Sequence, residues 1–204
     1  MSLTKIGPWY FPEGDKVCGP ASIQEAMLIE PHWLPTVNKL SVCVQAGGNC
    51  GLFPSKLACF FDAVYTAEPD CDNFMCLALN CPAPNVYAFR GAFGKEAGTI
   101  GLHKIPDNAG GHWVEGKGTI PVLPIDALNL PDCNLLQLDI EGGEFNALLG
   151  AEKTIEKYHP TLIIEWKGHV KRFGQTNEEM EAWIVSKGYR HHGMVWRDRV
   201  WVHP

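Results

Sequence analysis

Apolar positions in this chain come in short runs separated by glycine, proline and acidic residues, and the runs alternate between two periods. Ser41–Ala46 reads as a strand and enters a turn built from Gly47, Gly48, Asn49 and Gly51. Leu52–Phe61 suits a packed helix, with Pro54 in its first turn, where a missing N–H costs little. Ala63–Ala67 is a second strand, closed by Glu68 and Pro69. Asp70 or Asp72 then caps a helix reaching about Asn80, with Phe74, Leu77 and Leu79 as its apolar surface. Pro82 and Pro84 break the chain before a third strand, Asn85–Phe89, and a small turn, Arg90–Gly94.

The pattern then loosens. Gly98–Val114 is glycine-rich and irregular, suited to an edge hairpin, and Pro121 and Pro124 confine Gly118–Leu128 to an edge or an extended connector. Regularity returns at Asn134–Ile140, an unbroken apolar run of the kind a central parallel strand carries. A helix over Phe145–Tyr158 follows, with Leu148, Ala151 and Ile155 on one face. Pro160–Trp166 is a further buried strand, and Thr176 or Asn177 opens a helix that places Met180, Trp183 and Ile184 on one side and stops at Gly188. Tyr189–Met194 and Val195–Val202 alternate as a closing hairpin.

The order is βαβαβ, an irregular insert, βαβα and a hairpin: an α/β, Rossmann-like, doubly wound and mostly parallel sheet with an antiparallel edge. Residues 1–40 hold five prolines, no convincing strand and one short helix, Ile23–Glu30, capped by Ser22. They are expected to form an arm laid on a domain spanning 41–204.

In such a sheet the glycine turn after the first strand and the acid after the second meet at a nucleoside site. A dinucleotide fingerprint would read GxGxxG. The glycines here read GGNCG, which lacks the GxG half, so a pyrophosphate ligand is disfavoured. S-adenosylmethionine has no phosphates, needs backbone room for its methionine arm, and offers ribose hydroxyls to Glu68.

Composition narrows the setting. With 46% hydrophobic and 20% charged residues the chain is of ordinary globular type, and its net charge of −6 argues against a nucleic-acid groove. From Trp166 onward Lys167, Lys171, Arg172, Lys187, Arg190, Arg197 and Arg199 outnumber the acids, a mildly basic surface. No stretch reaches the ~18 apolar residues of a membrane span, and the first residues lack a secretory apolar core. A cytoplasmic setting is expected, with the eight cysteines as reduced thiols. They form no CxxC pair, and Cys43, Cys59 and Cys133 fall in apolar elements as small hydrophobes.

Three stretches resemble the FkbM-like family of S-adenosylmethionine-dependent class I methyltransferases. VQAGGNCGLF is similar to its first motif, YTAEPDCDNF to its E-P-x-x-x-N-F segment, and LLQLDIEGGEFNALLGA with PTLIIE to its K-x-D-x-E-G-x-E segment and following strand. The likeness covers roughly residues 41–166. Gln45, Gly48 and Gln137 depart from it, standing where Asp, Ala and Lys are usual.

The resemblance implies a methyltransferase acting on a hydroxyl of a small molecule, sugar or glycan; a catalytically silent nucleoside-binding or assembly subunit is the alternative. Implied cofactor residues are Gln45, Gly47, Gly48, Asn49, Gly51, Glu68, Pro69 and Asn73, with Ala92 and Phe93 lining the adenine. Asp139, Glu141 and Glu165 end neighbouring strands and are expected to converge as general base; Asp139 and Glu141 equally suit Mg²⁺. Glu144 reads as a helix cap, and His191 and His192 as surface residues. His103, His112, Trp113, Trp166 and His169 lie in loops beside that edge, with His112, Trp113 and Trp166 as acceptor contacts. The oligomeric state is left open.

Overall fold

The computed structural model describes residues 2–27 and 29–204. Its centre is a seven-stranded sheet. Five strands are parallel: β3 (Val42–Ala46), β4 (Ala63–Ala67), β5 (Val86–Phe89), β9 (Leu135–Leu138) and β10 (Thr161–Glu165). The closing hairpin, β11 (Arg190–Val195) and β12 (Asp198–Val202), adds antiparallel edge strands, giving the order β11-β12-β10-β9-β3-β4-β5. The chain runs outward from β3 in one direction and from β9 in the other, so the switch point lies between them, with Gln45 opposite Gln137.

Both faces of the sheet are covered, which explains why the central strands read as continuous apolar runs. Val44, Ala46, Leu136, Leu138 and Ile164 face one core with Phe145, Leu148, Ile155 and Met180. Cys43, Leu135, Ile163 and Val200 face the other with Leu57, Phe61, Ile29 and Trp33. Helices α2 (Leu52–Leu57), α3 (Cys71–Asn80), α4 (Glu144–Leu149), α5 (Glu152–Tyr158) and α6 (Asn177–Ser186) connect these strands. Thr176 and Glu179 form a reciprocal capping box at the start of α6.

Several expectations are corrected. The helix expected over Phe145–Tyr158 is two, α4 and α5. At Gly150 a Cβ would collide with the Gly94 carbonyl, and Asp126 caps α5 from outside by accepting the Lys153 and Thr154 N–H groups at 3.1 and 2.8 Å. The helix after the first strand stops at Leu57 rather than Phe61. Cys59 is exposed, not packed, and Leu79 is half exposed because it lies on the outer side of α3. The insert is more regular than its composition suggests: β6 (Ala92–Phe93), β7 (Gly98–His103) and β8 (Trp113–Leu123) form a three-stranded sheet ordered β6-β8-β7.

The N-terminal segment is also more structured than expected. It holds a hairpin, β1 (Leu3–Ile6) with β2 (Trp9–Pro12), and α1 (Cys18–Ala26). This helix starts earlier than Ile23 and has no Ser22 cap, since Ser22 is inside it; Leu28, in the expected span, lies outside the described residues. The short apolar strands were hidden by prolines. All eight cysteines are free, His191 and His192 are exposed, and no helix among the described residues is long and apolar enough to cross a membrane.

Asn80 ties hairpin to sheet: its side chain accepts the Tyr10 N–H at 2.8 Å and donates to the Tyr10 and Cys50 carbonyls at 2.7 Å each. Asn80→Ala strips the partner from three backbone groups, the buried Cys50 carbonyl and the half-buried N–H and carbonyl of Tyr10. It should cost about 1–3 kcal/mol by denaturant unfolding and speed proteolytic cleavage within residues 2–17.

Candidate functional site

The carboxyl ends of β3, β4 and β9 meet around the glycine turn. Gly47 and Gly48 donate their N–H groups to the Ala67 carbonyl at 3.2 and 2.9 Å, stitching the turn to the end of β4. Gly47 has φ +85°, and a Cβ there would collide with the Asp139 carbonyl oxygen. This position needs glycine on both counts. Gly48 and Gly51 face inward: a Cβ on Gly48 would lie 2.6 Å from Leu77 Cδ1, and one on Gly51 2.9 Å from Leu77 Cα. Those two let the turn press on α3 and stand behind the site. Gln45 also serves the turn, donating to the Gly47 carbonyl at 2.9 Å and accepting from Thr66 Oγ1 at 2.6 Å.

Glu68 is 5% exposed. One carboxylate oxygen accepts the Asn49 N–H at 2.7 Å and the other the Asp70 N–H at 2.8 Å. Burial pushes this carboxyl up to about 7, even though both N–H groups favour its ionised form. Each oxygen keeps a lone pair for a ligand.

Asp70 begins α3, accepting from Asp72 N–H and Asn73 N–H. Its other oxygen faces His112 Nδ1 at 3.1 Å and Lys104 Nζ at 2.8 Å. Burial alone would raise the Asp70 carboxyl; His112 and Lys104 hold it well below the carboxylate range. Asn73 donates to the Ala109 carbonyl at 2.9 Å, so the β7–β8 connection folds down over the turn. The arm reaches the same place: Asp15 accepts the Ala109 N–H at 3.1 Å, and Cys18 Sγ donates to Asn49 Oδ1 at 3.3 Å.

The second half of the site is acidic. Asp139 follows β9, Glu165 ends β10, Asp198 begins the antiparallel β12 beside it, and Glu25 comes from α1. Lys167 Nζ contacts Glu165 and lies 3.3 Å from Glu141 Oε1. Glu141, in a left-handed conformation, also meets His169 Nδ1 at 2.7 Å and Arg172. Burial raises the Glu165 carboxyl, and the Asp139 and Glu141 charges raise it further. Burial and Asp139 together push Asp198 up to about 8. Asp139 is raised by burial, with Lys167 opposing. Glu144 accepts the Ile140 and Gly142 N–H groups at 3.0 Å each, holding the turn that starts α4.

Glu68 at one end and Asp139, Glu165 and Asp198 at the other line one cavity of about 220 Å³. It gathers Gln45, Gly47, Asn49, Glu68, Pro69, Asn73, Ala92, Phe93, His112, Trp113, Asp139, Glu141 and Glu165 from the sequence-predicted set. Trp166 is a correction: strand alternation turns it away from Glu165, onto Trp201 and under the Arg199 guanidinium. His103 stacks on Trp113 outside the cavity. Among the described residues, ligand atoms of Glu141, Glu165 and His169 lie within 4.8 Å of one another, and the Lys167 ammonium contacts both glutamates. Sequence reasoning missed Glu25, Trp33, Gln137, Lys167 and Trp196–Asp198, all of which line the cavity. Period-two alternation in VWRDRVWV was the one available signal for Asp198.

A sheet of this order with a cleft at its switch point is the class I methyltransferase fold. Residues 62–191 match the methyltransferase FkbM domain, and the chain belongs to that family. A solved methyltransferase FkbM from Methylobacillus flagellatus KT is 22% identical over 80% of this chain, with a TM-score of 0.57; the chain spans 43% of that protein's length. A ribosomal protein L11 methylase from Lactobacillus delbrueckii subsp. bulgaricus has a TM-score of 0.53 at 9% identity, covering 95% of this chain and 83% of its own. The N-methyltransferase NodS from Bradyrhizobium japonicum WM9 has a TM-score of 0.51 at 9% identity, covering 90% of this chain and 95% of its own. These likenesses are of fold. No curated protein matches the chain.

Lys167 is the cation that lets the acids stay close. Carboxyls held above their unfolded values stabilise the fold at low pH and cost stability as pH rises towards their folded values. In Lys167→Met the loss of melting temperature should therefore be small at pH 5 and grow as pH passes about 8, where Asp198 begins to ionise in the folded protein. A loss independent of pH would show that Lys167 acts through packing alone.

Proposed function

We propose that this protein transfers a methyl group from S-adenosylmethionine to a hydroxyl of a small molecule, sugar or glycan. The observation that carries this reading is that Glu68 and Asp139 line one cavity on either side of the bare Gly47 backbone. The residues present fit the cofactor. Gly47 presents its backbone to the cavity where a methionine arm can lie, Glu68 keeps free lone pairs for a ribose diol, and Ala92 and Phe93 form an apolar wall suited to adenine. The bound cofactor supplies a methyl group already activated on a sulfonium.

The chain's own work is to align the acceptor, exclude water and remove a proton. Asp139 is the base in this reading, because it lines the cavity beside Gly47 and burial raises its carboxyl while the Lys167 charge opposes that rise. Glu141, surrounded by Lys167, His169 and Arg172, serves to position that edge. Lys167 already contacts Glu141 and Glu165, and this reading assigns the positive charge at that edge to its ammonium.

Calorimetry with S-adenosylhomocysteine tests the cofactor half. Wild-type protein should bind and Glu68→Ala should not, while unfolding as cooperatively as wild type. Because Glu68 ionises near 7, affinity should fall about tenfold between pH 8 and pH 6. Undiminished binding by Glu68→Ala would overturn the assignment. Asp139→Asn should retain S-adenosylhomocysteine and lose about 10²–10⁴ in kcat once an acceptor is in hand.

A further inference from the structure

The cavity is larger in chemistry than a cofactor site requires. Past the switch point, Gln137 on β9, Glu165 on β10 and Asp198 on β12 share the sheet face that Leu135, Ile163 and Val200 define, and Glu165 stands opposite Asp198 across the strand pair. Glu25 faces them from α1. Among the described residues the side chains of Asp198 and Glu25 have no hydrogen-bond or ion-pair partner. Gln137 gives the independent indication of a ligand: it is 2% exposed, it lines the cavity, and its Oε1 accepts no hydrogen bond. A buried acceptor left unpaired costs about 1–3 kcal/mol, a cost that a bound donor would remove.

We propose that the acceptor carries a protonated amine beside the hydroxyl that is methylated, as in an amino sugar or amino alcohol, and that Gln137, Asp198 and Glu25 hold that amine. This rests on the methyl-transfer reading above. Asp198, Glu25 and Gln137 Oε1 offer acceptors here beside one unpaired donor, the Trp33 indole N–H, and an ammonium is the common ligand group that donates three hydrogen bonds and accepts none. Charge points the same way. Glu25, Asp139, Glu141, Glu165 and Asp198 face Lys167, which is engaged by Glu141 and Glu165, and Arg197, which is exposed at the mouth. An arriving cation would draw the protons off these raised acids, an anionic acceptor would oppose their ionisation, and a neutral polyol would leave them as they stand.

The mouth adds an aromatic face. Trp196 is 64% exposed yet lines the cavity, and it sits at φ +58°, a conformation unfavourable for so bulky a residue. The turn between β11 and β12 holds that indole at the entrance, where its ring can attract a cation.

The test uses three sugars that share one ring: D-glucosamine, D-glucose and D-glucuronate. Each is titrated by calorimetry into the full chain saturated with S-adenosylhomocysteine. Glucosamine should bind at least about tenfold more tightly than glucose, and glucuronate most weakly. Glucosamine binding should also release protons, seen by comparing buffers of different ionisation enthalpy, because an arriving cation favours the ionised carboxyls. Asp198→Asn and Glu25→Gln should each weaken glucosamine about tenfold while S-adenosylhomocysteine affinity stays within about twofold of wild type. Equal or tighter binding of glucose or glucuronate, or binding of none of the three, overturns the amine assignment and leaves the methyl-transfer reading standing. Loss of S-adenosylhomocysteine affinity in either variant overturns it too, by giving these acids to the cofactor. Failure of the wild-type chain to bind S-adenosylhomocysteine defeats the underlying reading and this inference together.

Discussion

The seating of Glu68 is the interaction on which the site depends. A carboxylate this deeply buried is costly, and two backbone N–H groups from different elements meet it, one from the glycine turn and one from the start of α3. The same turn is pinned to β4 through the Ala67 carbonyl. Helix, turn and strand are therefore referenced to one side chain. Moving any of them would strip a hydrogen bond from a buried acid, and that makes the cleft stiff where a nucleoside would lie. The raised ionisation of Glu68 is what remains of the burial cost after those two bonds.

At the other end of the cleft the physics is reversed. Asp139, Glu165 and Asp198 are brought together by strand pairing that the apolar cores dictate, and their mutual repulsion follows from the fold. Lys167 relieves part of it, while the protons that burial retains on the acids relieve more. One end of the cavity is thus preorganised by hydrogen bonds, and the other is held in electrostatic tension. The first arrangement suits a ligand bound in one fixed pose. The second suits a partner whose own charge completes the site.

The parallel sheet was legible because its strands are buried on both faces and bounded by glycine, proline and acids, signals that survive without any knowledge of neighbours. The Ser41–Pro69 unit and the acids after β9 and β10 followed from that. The misses have a common cause, which is dependence on distant chain. Gly150 breaks a helix because Gly94 lies against it, and Asp126 caps that helix from 27 positions away in sequence. Trp166 was expected at the acceptor because it follows Glu165, but one step along a strand reverses the face. Gln137 was read as a departure from a family pattern; its unpaired oxygen becomes visible only when the neighbours that fail to reach it are known.

Residues before the sheet illustrate how an element without a readable motif still shapes chemistry. The sequence there offers prolines and weak periodicity, yet Asp15 binds the N–H groups that start α1 and also the Ala109 N–H of the insert. Cys18 reaches Asn49 in the glycine turn, and Glu25 faces Asp139 across the cavity. One helix therefore touches both the hydrogen-bonded end of the cleft and the charged end. The position of Glu25 opposite Asp139 therefore depends on the Asp15 and Cys18 contacts that tie its helix to the insert and to the glycine turn.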